Sequence, residues 1–126
     1  MKSDSKYKIE FAGLKIGSHQ FNFNADKKFF DRFNFSDFND VSVNIDIDLT
    51  KKSTLLELEF ILKGVVKVNC DLTNEPFDFQ IKHEASLVVK FGQEYNDEDD
   101  EILVLPHGEH KLYVDQYIFE LIVLSL

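Results

Sequence analysis

The sequence predicts an α+β protein that is predominantly β: a bent, barrel-like antiparallel sheet with a short helix in the N-terminal half and a C-terminal helix. Three long segments alternate apolar and polar residues with a period of two, which is typical of strands with one buried and one solvated face. Short connectors separate them, and these favour antiparallel hairpins. The 126 residues and the apolar fraction of 44% fit one domain, so we expect residues 1–126 to fold as a single unit.

The N-terminal part predicts two short strands and the first helix. The strands are Tyr7–Phe11 and His19–Ala25, on either side of a turn that is bounded by glycines. Asp26 is the predicted N-cap of a short helix that extends through Phe33. In that helix Phe29 and Phe33 lie on one side, because residues four apart are neighbours on a helix surface.

The three alternating segments form the centre of the predicted sheet. They are Val41–Leu49, Leu56–Cys70 and Phe77–Phe91. Matching the apolar faces restricts the strand register to one parity, since a slip of one residue would turn the core face outward. Within that parity, the connector after the first segment predicts Leu49 opposite Thr54.

The second hairpin has a polar residue on its apolar face. The predicted register places Cys70 opposite Phe77 and therefore His83 opposite Gly64. Because Gly64 has no side chain, we expect it to leave room for the imidazole or to mark a bulge. Both long segments exceed the usual strand length, so we expect them to bend or split and the sheet to curl into a barrel-like form.

The C-terminal part predicts two more strands and the second helix. The strands are Ile102–Leu105 and His110–Val114, around the turn Pro106–Glu109, and Asp115 is the predicted N-cap of a helix through Leu124. The inward stripe of this helix consists of Ile118, Leu121, Ile122 and Ser125. The sequence ends without a Gly, Lys or Pro stop signal, so we expect the natural chain to continue beyond it.

Most of the negative charge lies in one predicted surface loop, residues 92–101. The chain has 23 acidic and 14 basic residues and a net charge of −9, which argues against nonspecific nucleic-acid binding. The six acids of the loop are Glu94, Asp97, Glu98, Asp99, Asp100 and Glu101, and the remaining chain has a net charge of only −3. The loop lacks the EF-hand spacing, so a calcium site is not predicted. A solvated connector and a docking site for a basic partner both stay open.

The sequence offers little catalytic chemistry, and we predict a protein that is not an enzyme and has no cofactor and no metal site. Cys70 is the single cysteine, and Thr73 stands where a zinc half-site would need a second sulfur. In the predicted register His83 is too far from Cys70 to activate it. We expect Cys70 to be a buried core residue and His83 a core histidine with a hydrogen-bond partner.

The expected compartment follows from the same composition. One cysteine excludes an intramolecular disulfide and fits a reducing environment. The N-terminus lacks the apolar run of a signal peptide, and no segment approaches the roughly 20 apolar residues of a membrane span. We therefore expect a cytoplasmic protein with no membrane partner.

One basic and aromatic cluster is a candidate contact surface. Lys27, Lys28 and Arg32 lie next to phenylalanines in the sequence. Nucleic-acid bases stack on exposed aromatic rings beside cationic groups. On a helix, however, the phenylalanines would share a face and form a small core layer. An RNA or protein contact and a core layer are thus the two interpretations.

Several short motifs follow one another along nearly the whole chain. In order, they are Gly13-Leu14-Lys15-Ile16-Gly17, a Phe-rich segment, Gly64, Cys70-Asp71, Glu75-Pro76-Phe77, the acidic loop, and Leu112–Asp115 leading to Glu120. This order resembles the YceD-like family, bacterial and plastid proteins named for the accumulation of large-subunit ribosomal RNA. The chain departs from that pattern at Thr73, where many members have a second cysteine, so a metal or redox role does not carry over.

The resemblance implies a non-enzymatic factor in large ribosomal subunit biogenesis. Its partner would be a large-subunit ribosomal protein or a precursor rRNA particle, with no role for DNA. The acidic loop would complement a basic partner and make binding sensitive to salt. The alternative function is a β module that binds a small apolar ligand or another protein, because many phenylalanines face the predicted core.

Overall fold

The protein is described here by a computed structural model that covers residues 7–31, 33, 39–69, 73–96 and 101–125. In chain order the elements are β1 (Lys8–Ile9), a 3₁₀ turn (Phe11–Gly13), β2 (Gly17–Asp26), α1 (Lys27–Asp31), β3 (Asp40–Lys51), β4 (Leu55–Asn69), β5 (Pro76–Gly92), β6 (Ile102–Pro106), β7 (Leu112–Tyr113) and α2 (Asp115–Leu124). Strands predominate and two helices accompany them, as the sequence predicts.

The main sheet has five strands in the order β2-β3-β4-β5-β6. The first four are antiparallel neighbours, as expected, but β6 runs parallel to β5, so the sheet as a whole is mixed. The cause is the connection 93–101, which returns the chain to the level of Val88 before β6 begins. Among the described residues no pairing joins β2 to β6, so the expected barrel closure is not found.

The terminal strands form a separate, smaller ladder. Lys8 lies opposite Tyr113 and Ile9 opposite Leu112, in an antiparallel pair that joins β1 to β7. Both strands are shorter than the sequence predicts. Their pairing brings the N-terminal segment next to the start of α2, where Val114 N donates a hydrogen bond of 2.9 Å to the Tyr7 carbonyl oxygen.

Both predicted hairpin registers are wrong in position, although their parity is right. Leu49 lies opposite Leu58, four residues beyond Thr54. Phe77 lies opposite Val68 and not opposite Cys70, which falls outside the described residues. The apolar faces explain both results, since any even shift keeps the same side chains in the core.

Gly64 serves a different neighbour from the one that the sequence suggests. It lies opposite Ile81 on β5 and Val43 on β3, whereas His83 lies opposite Leu62. A Cβ atom at Gly64 would collide with the carbonyl oxygen of Ser42 and come within 2.5 Å of the Cα atom of Val43. Pairing continues through this point without a bulge in the described strands. Gly64 is therefore required by the close approach of the β3 backbone.

The core lies on one face of the sheet. The buried side chains of β3, β4 and β5 all come from the predicted apolar parity, and the covering layer consists of the N-terminal segment, α1 and α2. Phe29 is central to this layer, with its ring 4.7 Å from that of Tyr7 and 5.2 Å from that of Phe30, measured between centroids. Such tilted and edge-to-face contacts suit aromatic rings. The phenylalanines of α1 thus form the predicted core layer.

Asp26 ends β2 and begins α1. Its Oδ1 accepts a hydrogen bond of 3.0 Å from the Phe29 amide, which confirms the predicted cap. The helix ends at Asp31, before Phe33, but the Phe33 ring still packs on Phe29 with a centroid distance of 5.3 Å. One side of the turn therefore carries both rings, as expected.

The second helix ends at the predicted residue, Leu124, and carries three residues of the predicted inward stripe, whereas Ser125 of that stripe is the half-buried C-cap. Ile118, Leu121 and Ile122 are buried. Asp115 is not the N-cap, because Val114 occupies that position and Asp115 is the first helical residue. Asp115 is only 4% exposed. It lies at the N-terminus of the helix, where the backbone dipole favours a negative charge.

Replacing Gly64 with alanine tests the close approach of β3 and β4. We expect Gly64→Ala to lower the free energy of unfolding by about 3 kcal/mol, because the new methyl group overlaps backbone that cannot move aside without breaking the ladder. Gly13→Ala is the control, since nothing lies within 4 Å of a Cβ atom there. Urea denaturation of the two variants measures the difference, and equal stabilities would contradict the assignment.

Candidate functional site

The acidic segment, residues 92–101, is hydrogen-bonded to the sheet at two described points, through Asn96 to β6 and through Glu101 to β5. Asn96 and Val104 exchange two backbone hydrogen bonds of 2.9 and 2.8 Å, and the Glu101 carbonyl oxygen accepts one of 2.8 Å from the Val88 amide. Asn96 therefore covers the outer edge of β6. Glu94 and Glu101 are exposed, while Asp97, Glu98, Asp99 and Asp100 lie outside the described residues. Two of the six acids, Glu94 and Glu101, are therefore exposed in the connection between β5 and β6.

The basic and aromatic cluster is divided between two sides of α1. Lys27 and Lys28 are exposed, whereas Phe29 and Phe30 are each 1% exposed. Arg32 lies outside the described residues. Because the two rings face the core, they offer no surface on which a base would stack.

The glycine-bounded turn of the first motif is held by a residue that sequence reasoning missed. Gly17 begins β2 with a φ of +133°, a conformation that favours glycine, and Gly13 ends the 3₁₀ turn. The Lys51 ammonium donates hydrogen bonds of 2.9 Å to the Phe11 carbonyl oxygen and 2.7 Å to that of Leu14. Lys51 lies 37 residues or more from these groups in sequence, and no local pattern signals the contact.

The remaining described motif residues lie at the β4–β5 connection or on the surface of α2. The Glu75 amide donates to the Thr73 hydroxyl at 3.3 Å in the turn before β5, and Pro76 begins that strand. Phe77 is 46% exposed on the same side of the sheet as the core. Glu120 is exposed and accepts a hydrogen bond of 3.4 Å from Gln116. Cys70 and Asp71 lie outside the described residues.

These motif residues do not meet in one site. The turn bounded by Gly13 and Gly17 lies beside the β3–β4 connection, because Gly17 pairs with Lys51 and Lys51 with Leu56. Pro76 pairs with the last residue of β4, and the two ends of that strand are roughly 40 Å apart. Apart from Glu120 on α2, the described motif residues are therefore turn and strand-end residues.

The histidines and carboxylates offer no assembled reactive group within the described part of the chain. His83 is half-buried and has no hydrogen-bond partner among the described residues, so the expected partner is not found. No three or more His, Cys, Asp or Glu side chains there lie close enough to hold a metal ion. His107 and His110 are exposed.

Comparisons leave the chain without an assigned family. No protein-family model, no curated protein and no solved structure matches it, so the resemblance to the YceD-like family stays a prediction. The described helices are all too short or too polar to cross a membrane.

The Lys51 contact predicts an effect on the stability of the N-terminal turn. We expect Lys51→Met to lower the free energy of unfolding by about 2 kcal/mol, because charged donors to carbonyl groups contribute about that amount. Lys52→Met is the matched control: Lys52 forms an exposed ion pair with Glu57 at 3.0 Å, which typically contributes under about 1 kcal/mol. Urea denaturation gives both values, and a larger loss for Lys52→Met would contradict the role of Lys51.

Proposed function

We propose that this protein is a non-enzymatic factor in large ribosomal subunit biogenesis that docks on a basic ribosomal protein through the acidic segment. The observation that carries the proposal is the placement of this segment. It contains six of the 23 acids of the chain, and its residues Asn96 and Glu101 are hydrogen-bonded to β6 and β5, the last two strands in the order of the sheet. The link to the ribosome comes from the resemblance to the YceD-like family.

Six carboxylates within the eight residues Glu94–Glu101 create a local negative potential, although the rest of the chain has a net charge of only −3. Such a potential speeds the encounter with a basic surface and weakens within about 10 Å at an ionic strength of 0.1 M. We therefore expect association with the partner to depend strongly on salt.

A basic protein fits this edge better than RNA does, because carboxylates repel phosphate groups. Contact with a precursor rRNA would instead use the basic residues Lys27, Lys28 and Arg32. Lys27 and Lys28 are exposed, but the neighbouring aromatic rings are buried. These residues supply the competing arm of the experiment.

The acidic segment is tested by a fourfold change to serine: Asp97→Ser, Glu98→Ser, Asp99→Ser and Asp100→Ser. We expect at least about a tenfold loss of co-sedimentation with large-subunit precursors at low salt, since the local charge is largely removed. The control neutralises four dispersed acids by Asp48→Asn, Asp78→Asn, Glu84→Gln and Glu109→Gln. Both variants change the net charge from −9 to −5, so only the location of the charge differs.

Retained co-sedimentation in the serine variant, or an equal loss in the control, would contradict the role of the segment. The variant Lys27→Glu with Lys28→Glu distinguishes the RNA contact. A loss confined to that variant would favour RNA over a basic protein as the partner.

A second candidate, a protein-interaction module, is favoured by two exposed aromatic rings. Phe77 and Phe79 are 46% and 36% exposed at the end of the β4–β5 hairpin, on the side of the sheet that elsewhere forms the core. By contrast, the ring contacts among Phe29, Phe30 and Phe33 favour a packed interior over an apolar-ligand cavity. The rings at the end of the hairpin are thus better suited to contact another protein.

The double change Phe77→Ser with Phe79→Ser tests this second candidate. We expect it to reduce partner recovery in a pull-down with a smaller loss of stability than a change at a fully buried phenylalanine, because both rings are partly exposed. Val65→Ser is the control, because Val65 is an exposed apolar residue on the opposite face of the sheet. A change at Phe60 would not serve, since Phe60 is buried. Native mass spectrometry of the purified chain decides the ligand alternative, because a mass of 14.7 kDa alone removes it.

A further inference from the structure

The two edges of the five-stranded sheet are built differently. The outer edge of β6 is covered in part by Asn96, which pairs with Val104. At the other edge, β2 pairs only with β3 among the described residues. An unpaired strand edge presents free N–H and C=O groups, which is the surface on which another strand adds.

The β2 edge lacks the features that usually protect such an edge. The strand is ten residues long and pairs with β3 without a bulge, from Gly17 opposite Lys51 to Asp26 opposite Ser42. Between its ends, residues 18–25 contain no lysine, arginine, aspartate, glutamate or proline. Charges, prolines and bulges are the common means of preventing edge pairing.

One hydrogen bond shows which backbone groups of β2 point off the sheet. The Tyr7 hydroxyl donates to the Asn24 carbonyl oxygen at 2.8 Å, from outside the β2–β3 ladder. In antiparallel pairs alternate residues direct both backbone groups to the same side. Ser18, Gln20 and Asn22 have the same parity as Asn24, so their N–H and C=O groups point to the free edge.

We propose that β2 pairs antiparallel with β2 of a second copy of this chain, with the two-fold axis at Gln20. Because Tyr7 already binds Asn24, the pairing is centred on the free stretch from Ser18 to Asn22. In this register Gln20 lies opposite its own counterpart, and Ser18 lies opposite Asn22 of the second copy. Each edge satisfies the other, so assembly at this edge stops at a dimer.

The side chains of β2 match a second copy on both faces. On the outer face the exposed Gln20 carries an amide, which both donates and accepts hydrogen bonds, while the Asn22 amide nitrogen already donates to Asn44 and Asp46 of its own chain. On the core face His19 and Phe21 are half-buried. In the proposed register His19 of one copy lies opposite Phe21 of the other. The pairing therefore leaves no charge unpaired and covers an aromatic ring in both copies.

The distribution of charge also favours a second copy at this edge. The acidic segment lies at β6, four strand spacings or roughly 19 Å from β2. In the dimer the two acidic segments lie at opposite ends of a continuous ten-stranded sheet, where their repulsion is smallest. A strongly charged peptide, in contrast, finds no complementary charge on residues 18–25.

Sedimentation velocity on the full chain, over about a hundredfold range of concentration, tests the proposal. We expect the mass to rise from 14.7 kDa toward twice that value. Gln20→Lys sets like charges opposite each other at the two-fold axis, and Gln20→Pro removes an outward N–H without taking a bond from β3. Both variants should stay at 14.7 kDa, whereas Gln20→Thr, the control, should dimerise.

Circular dichroism tests whether each variant is folded. If Gln20→Pro does not fold, Gln20→Lys alone tests the dimer interface. Hydrogen exchange adds a local readout, since the amides of Gln20 and Asn22 should exchange more slowly as the concentration rises. A wild-type chain that remains at 14.7 kDa at every concentration would overturn the proposal. So would a dimer that persists unchanged in Gln20→Lys, because its interface would then lie elsewhere.

Discussion

The burial of one apolar face of a long sheet is the constraint on which the rest of this structure depends. Strands β3, β4 and β5 place side chains of one parity on that face, and a slip by one residue would expose them all. A single sheet cannot bury its own face, so the N-terminal segment, α1 and α2 must lie across it. The aromatic contacts around Phe29 belong to this second layer.

The two edges of the sheet give the molecule its functional asymmetry. At one edge the chain returns to form β6, and the connection that makes this return carries most of the net charge. At the other edge β2 is uncharged between its ends and unpaired beyond β3 among the described residues. Electrostatic attraction and backbone pairing act over different distances. The proposed functions of the two edges, docking of a basic partner and pairing of two copies, are therefore independent of each other.

Individual hydrogen bonds and one glycine conformation fix the points where the chain changes direction. Asp26 ends β2 and caps α1, Gly17 supplies a positive φ, and Lys51 binds the carbonyl groups of the 3₁₀ turn. Gly64 has a different part, because it allows two strands to approach within the distance that a Cβ atom would occupy. The described residues of the motifs that resemble the YceD-like family also lie mostly in turns and at strand ends. They are found at opposite ends of the β4–β5 hairpin.

The sequence by itself determined the long strands, the parity of their core faces, the Asp26 cap and the extent of α2 to within one residue. These features depend on residues close together in the chain, through the period of two, the period of 3.6 and capping chemistry. Only the tertiary structure decided the hairpin registers, the parallel direction of β6, the β1–β7 pair and the Lys51 contact. Even shifts of register bury the same side chains, so local pattern leaves them equivalent. Contacts between residues distant in sequence, such as the approach of β3 to Gly64, remove that equivalence.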